Sequence, residues 1–197
     1  MNDDVFVYQI DSRDIITRVS RNWEPFARAN AWRSECLPEK VVGRLLWDFI
    51  QDIETRYLYE ELFKKVRTGK PIEPIHFRCD SPQERRFMKF FPRLLPDGQI
   101  EITNTIVRTE CRDPVRLLDP DIPRSREIIR MCSMCKKIMT RQGLWIAIEE
   151  GLAQLKPFET DELPSLNHSV CPDCYKVVMD EQDVLQQSNK AIDSSEE

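Results

Sequence analysis

The apolar positions in the first part of the chain fall into strand-like runs interrupted by one clear helical pattern. VFVYQID (residues 5–11) and IITRVS (residues 15–20) are rich in β-branched and aromatic residues and read as strands, with DSRD as the turn between them. NWEPFARANAW (residues 22–32) reads as a short helix capped by Asn22. ETRYLYEELFKKVRTG (residues 54–69) is the clearest helix: Tyr57, Leu58, Leu62, Phe63 and Val66 recur at helical spacing, and Gly69 supplies a stop. Three further strands follow, IHFRCD, RFMKFFPRLL and QIEITNTIVR, the last two joined by a hairpin turn at Pro96-Asp97-Gly98. Strand alternation puts Ile75, Phe77 and Cys79 on one face and His76 and Arg78 on the other. The same rule puts Ile100, Ile102, Asn104 and Ile106 together on the core side, so the Asn104 amide is either a satisfied structural group or a contact to a ligand in the core.

The pattern changes after residue 112. CRDPVRLLDPDIPRSRE holds Pro114, Pro120 and Pro123, which block a continuous helix and favour extended chain. Beyond it, KKIMTRQGLWIAI reads as a hairpin turning at Thr140-Arg141-Gln142-Gly143, EEGLAQLKP as a short helix, and NHSVCPDCYKVVMDEQDVLQQ as a helix starting near Pro172, a residue suited to the first helical position. These shifts divide the chain into residues 1–112, a proline-rich linker at 113–126, a second module at 127–180, and a polar tail at 181–197 expected to be disordered.

Four cysteines dominate the chemistry. Cys132 and Cys135 lie in MCSMCKK, Cys171 and Cys174 in VCPDCYK, and positions 136–170 separate the pairs. A C-x2-C loop is short enough to place both thiolates on one ion, and two such loops complete the tetrahedral four-sulfur shell that structural zinc takes. One zinc per chain is therefore expected. His168 is a fifth candidate, either replacing a cysteine or hydrogen-bonding a coordinating sulfur from outside. Rubredoxin-type iron is disfavoured, because Lys136 and Tyr175 stand where glycines usually follow each pair. Neither pair is followed by histidine, which speaks against covalent haem. The remaining cysteines, Cys36, Cys79 and Cys111, read as packing residues or ordinary thiols.

Charge and compartment narrow the partners. The chain has 197 residues, seven cysteines and a net charge of −5, so broad attraction to nucleic acid or anionic membranes is not expected. Its opening, MNDDVFVYQI, lacks the basic start and apolar core of a signal peptide, and even VVGRLLWDFI is broken by Arg44 and Asp48. The chain is read as cytoplasmic, where thiols stay reduced and a disulfide framework is not expected.

Two strands, short helices, a longer helix and three antiparallel strands follow one another in the order of a PAS domain. VVGRLLWDFI resembles the PAS segment in which a Gly-Arg pair precedes an apolar-Trp-Asp-Phe run, and RCDSPQERRFMKF with LLPDGQIEITNTIVR resembles a bacterial PAS subfamily. The resemblance implies an α+β fold: a five-stranded antiparallel sheet with helices on one face, around a small core that in some members holds a ligand. His76 falls on the solvated strand face and the reactive-cysteine motif of flavin-binding PAS domains is missing, so neither haem nor flavin is expected. The order of cysteine loop, hairpin and cysteine-bearing helix is that of a treble-clef zinc finger. CSMCKKI, Gly143-Leu144-Trp145 and His168-Ser169-Val170-Cys171-Pro172-Asp173-Cys174 also resemble a cysteine-rich tail of bacterial PAS and response-regulator proteins. Ser169 and Val170 depart from that pattern without touching a sulfur.

The reading that follows is a cytoplasmic signal-transduction sensor or adaptor, not an enzyme, acting through protein contact, with a homodimer through the PAS domain and another signalling protein as expected partners. A DNA-binding regulator and a thiol or zinc redox sensor are the alternatives. Between residues 127 and 180 six basic residues meet eight acidic ones, a balance of 6 − 8 = −2, which disfavours DNA.

Overall fold

A computed structural model describes residues 4–29, 36–155 and 162–180. Strands β1 (Val5–Ile10) and β2 (Ile16–Val19) lead into helices α1 (Trp23–Ala29), α2 (Pro38–Val41) and α3 (Ile53–Arg67), followed by strands β3 (Ile75–Arg78), β4 (Glu84–Leu94) and β5 (Ile100–Cys111). The five strands form one antiparallel sheet in the order β2-β1-β5-β4-β3. The first and last segments thus meet at its centre, and the helices between β2 and β3 cover one face. This is the PAS arrangement.

The core follows from the two periodicities. Tyr8, Ile10, Phe90, Ile100 and Ile102 point from the sheet, and Leu58, Leu62, Phe63 and Val66 point down from α3 to meet them. Asp52 caps α3, its carboxylate accepting from the Thr55 N–H at 2.8 Å. The opposite sheet face carries polar and β-branched residues, as an antiparallel sheet wetted on one side allows.

The second half builds its own small sheet. Strands β6 (Arg124–Cys132), β7 (Ile138–Met139), β8 (Trp145–Ile146) and β9 (Leu163–Ser169) lie in the order β8-β7-β6-β9, with β9 parallel to β6. Helix α4 (Ile148–Leu155) packs on the hairpin, and helix α5 (residues 172–180) follows β9. Cysteine loop, hairpin and cysteine-bearing helix occur in treble-clef-like order, with β9 and α4 as additions.

Two features of this half differ from a spacer followed by an independent finger. Val115 and Leu117, in the proline-rich stretch, are buried with Ile129, Met131, Ile138, Ile148, Leu152 and Leu163 in a second core. Prolines limit backbone conformation but do not prevent a short 3-10 turn at Arg116–Leu118 from presenting an apolar side chain. Cys132, Met134, Val170, Cys171 and Val178 in turn join the core of the first sheet. The polar tail at 181–197 lies outside the described residues. Among the described residues, no helix is long and apolar enough to cross a membrane.

Candidate metal centre and the adjoining cavity

Cys132 ends β6, and the chain then turns sharply. The Cys132 N–H donates to the Lys137 carbonyl at 2.8 Å and the Lys136 N–H to the Cys132 carbonyl at 3.1 Å. The turn puts Lys136 at φ 63°, the left-handed region where glycine is usual. Cys135 swings back beside Cys132. On the other side, Cys171 immediately precedes α5, and Cys174 lies in its first turn. The helix start directs N–H groups and the positive dipole end toward the sulfurs, and the Cys171 N–H donates to the Cys132 sulfur at 3.3 Å.

The four sulfurs of Cys132, Cys135, Cys171 and Cys174 lie within 4.8 Å of one another. Those of Cys135 and Cys171 are 3.7 Å apart. A tetrahedral ion with metal–sulfur bonds of about 2.3 Å requires sulfur–sulfur edges of about 3.8 Å, so the shell fits such an ion with small contraction. Cys132 and Cys171 are fully buried, and Cys135 and Cys174 half-buried.

Thiols packed this closely cannot all ionise on their own. Hydrogen bonds from Cys135 and Cys174 hold Cys132 well below the usual thiol range, against the opposing effect of burial. Cys135 is pushed up to about 12, first by its bond to Cys132. Cys174 is pushed up too, by its bonds to Cys132 and Cys135. A divalent cation would replace the shared protons and let all four sulfurs carry charge. The Lys136 ammonium donates to the Ser133 carbonyl at 2.8 Å; burial pulls its pKa down, while Cys79, Asp80 and Cys132 oppose that pull. Lys137 lies 3.4 Å from Asp173. Both cations suit an anionic sulfur shell.

His168 lies on β9 opposite Met131 and is exposed. It is not one of the four clustered ligands, and among the described residues it makes no hydrogen bond to a sulfur. Asn104 lines a cavity of about 490 Å³ between the first sheet and its helices. The rest of the lining is aromatic and aliphatic, including Phe6, Tyr8, Phe26, Tyr59, Phe77 and Met88, with Cys36 and Cys79 also in the wall. Burial raises the Tyr8 phenol well above its ordinary value and pushes Tyr59 up to about 12. The Asn104 amide makes no hydrogen bond among the described residues, so it offers the cavity an unused donor and acceptor. His76 is on the exposed face of β3, away from this cavity, and Cys111 is exposed at the end of β5.

The sequence did not signal how closely these two sites are joined. The Glu54 carboxylate, in the first turn of α3, accepts from the Ser169 hydroxyl and, at 3.1 Å, from the Val170 N–H. The Thr55 and Ser133 hydroxyls share a hydrogen bond, and Ser133 donates to the Ser169 carbonyl at 2.8 Å. On β3, the Arg78 N–H donates to the Met134 carbonyl at 2.7 Å, and its guanidinium to the Cys135 carbonyl at 3.2 Å. Nothing in the sequence pairs α3 with residues more than seventy positions away.

No family model and no curated protein matches the chain. Among solved structures it is similar to the photoactive yellow protein domain of the sensor histidine kinase Ppr from Rhodospirillum centenum, with 18% identity and a TM-score of 0.35 over 52% of this chain and 91% of that one. It is also similar to a domain of an HTR-like protein from Haloarcula marismortui, with 11% identity and a TM-score of 0.31 over 53% of this chain and 99% of that one. The PAS fold rests on the strand order and packing of the chain itself.

Proposed function

We propose that the chain is a sensory adaptor in which a PAS domain receives a small uncharged ligand and a four-thiolate zinc module carries the response to a partner protein. The four converging sulfurs, two of them fully buried, carry this reading. Four cysteine ligands close the tetrahedron and leave no open position for substrate, so zinc here is structural rather than catalytic. The cavity supports a sensing role: it is apolar, large enough for a small organic molecule, and among the described residues has the Asn104 amide to orient one. A homodimer and a second signalling protein are the partners proposed, and the acidic balance of the module argues for protein rather than DNA.

Elemental analysis of carefully purified full-length protein tests the zinc reading. One zinc per chain is expected, falling toward zero in Cys132→Ser and Cys171→Ser. Protein with no metal, or with unchanged zinc in both variants, would overturn it. Size measurement beside a low-salt DNA titration tests the output. Submicromolar, sequence-dependent and steeply salt-sensitive DNA binding would replace the adaptor reading with a transcriptional one.

A further inference from the structure

The cavity and the four-sulfur centre share two walls. Phe77 of strand β3 and Cys79 just after it turn into the cavity, while Arg78 between them binds the first cysteine loop through both its N–H and its guanidinium. Helix α3 does the same along its length. Tyr59 faces the cavity, while one turn earlier Glu54 and Thr55 hold the chain beside Cys171 and Cys132 through Ser169, Val170 and Ser133. Any shift of β3 or α3 that opens the cavity also moves a support of the sulfurs. Two sites that order the same elements stabilise each other's bound state, because the ordering cost is met once.

We infer that occupancy of the apolar cavity and occupancy of the metal centre are positively and reciprocally coupled through β3 and the first turn of α3. This rests on reading the sulfurs as a metal site and adds how that site is regulated. A ligand in the cavity braces Phe77 and Tyr59, keeps Arg78 and Glu54 in place, and slows escape of the ion. Loss of the ion frees both cysteine loops and loosens the cavity wall. The metal centre thus reports the state of the cavity without touching its contents.

The test uses full-length zinc-loaded protein, whose metal content is first fixed by elemental analysis. Phenylnaphthylamine, a neutral apolar fluorophore, is the cavity probe, and zinc release is followed with the chelator pyridylazoresorcinol. Saturating probe is expected to slow release by about fivefold or more, and zinc removal to weaken probe binding by a factor of similar size. Ala27→Phe places a ring in the cavity wall and should remove both probe binding and the effect on release. Glu54→Ala leaves every sulfur and the whole cavity lining in place; zinc and probe should still bind, with the coupling factor falling toward one. Equal release rates with and without bound probe overturn the coupling while leaving the metal reading intact, and so does a probe that does not enter the cavity. Absence of zinc at the outset overturns both.

Discussion

The N–H of Arg78, on the edge strand of the first sheet, donates to the carbonyl of Met134, inside the first cysteine loop, at 2.7 Å. The end of that sheet edge is thereby paired with the loop that presents half of the sulfurs. An open edge exposes unpaired backbone groups that invite association, so the cysteine module also protects the PAS sheet. Chelating the metal from the full chain is therefore expected to destabilise the first domain as well as the second. Thermal unfolding followed by far-UV circular dichroism should show one cooperative transition in loaded protein, displaced to lower temperature as a whole by chelator. Two independent transitions, only the smaller one moving, would show that the halves fold separately.

The charge cluster at the junction should be costly to break. Asp80 and Arg112 are almost fully buried and 3.0 Å apart; Arg78 also pairs with Asp80, and Arg112 reaches Glu149 at the start of α4. Removing one partner of a buried pair costs about 3–5 kcal/mol, because the other charge stays buried and uncompensated. Asp80 keeps Arg78 as a partner, so Arg112→Ala should lose stability at the lower end of that range, measured by urea denaturation. The partly exposed Arg85–Glu149 pair should matter far less, so Arg85→Ala should cost under about 1 kcal/mol.

Glu149 gives this junction a pH dependence of definite sign. Burial raises its pKa, but its own N–H and then Arg85 and Arg112 donate to the carboxylate and bring it below the ordinary glutamate value. A depressed folded-state pKa means stability that is present above the unfolded value, about 4.3, and lost as pH falls through the folded one. Glu149→Gln should therefore lower the melting temperature more at pH 7 than at pH 3. The same loss at both pH values would show that shape, not charge, is what Gln fails to supply.

Gly151 tests packing against helix propensity. A β-carbon there would lie 2.6 Å from Cγ1 of Ile138, in the buried hairpin beneath α4. Alanine favours an interior helix position by about 1 kcal/mol, but overpacking typically costs about 1–3 kcal/mol. Gly151→Ala should be net destabilising, and Gly151→Ala with Ile138→Val should recover part of the loss. A stabilised single variant would show that α4 can move away.

Asn104 tests the cavity. Its amide has no hydrogen-bond partner among the described residues, in an apolar surround, and an unpaired polar group costs about 1–3 kcal/mol when buried; Asn104 is only half-buried, so the lower end applies. Asn104→Leu should leave ligand-free protein as stable or up to about 1 kcal/mol more stable, the mark of a residue kept for binding. A clear loss of stability would mean that the amide is structurally satisfied.

The parts of the fold that could be read from the sequence are those with a local signal. β1 to β5 and α3 each carry their own alternation, and the spacing of the four cysteines contains the geometry of the sulfur shell. β6 and β9 could not be read in this way. RSREIIRMC carries charges at Arg124, Arg126, Glu127 and Arg130, with only Ile129 and Met131 turned into the module's core, and LPSLNHS has a proline and polar residues where a strand would be apolar. Their pairing is parallel and joins residues about forty positions apart, which no local pattern encodes. Glu54 was hidden for another reason. On an exposed helix turn a glutamate looks like a solvated charge, and only tertiary structure shows it accepting from Ser169 and Val170.

The parallel pairing of β6 with β9 also sets an order of events during synthesis. Cys132 and Cys135 leave the ribosome with only half of the four sulfurs, and thirty-five residues lie between Cys135 and Cys171. At translation rates of about 5–20 residues per second, that is an interval of about 2–7 seconds. Through that interval the first pair is an open dithiol on a nascent chain whose N-terminal sheet already has all five strands. If the four sulfurs take zinc as proposed, ion capture can close the module only after that interval, and a chain without the ion lacks the cysteine-loop contact on β3.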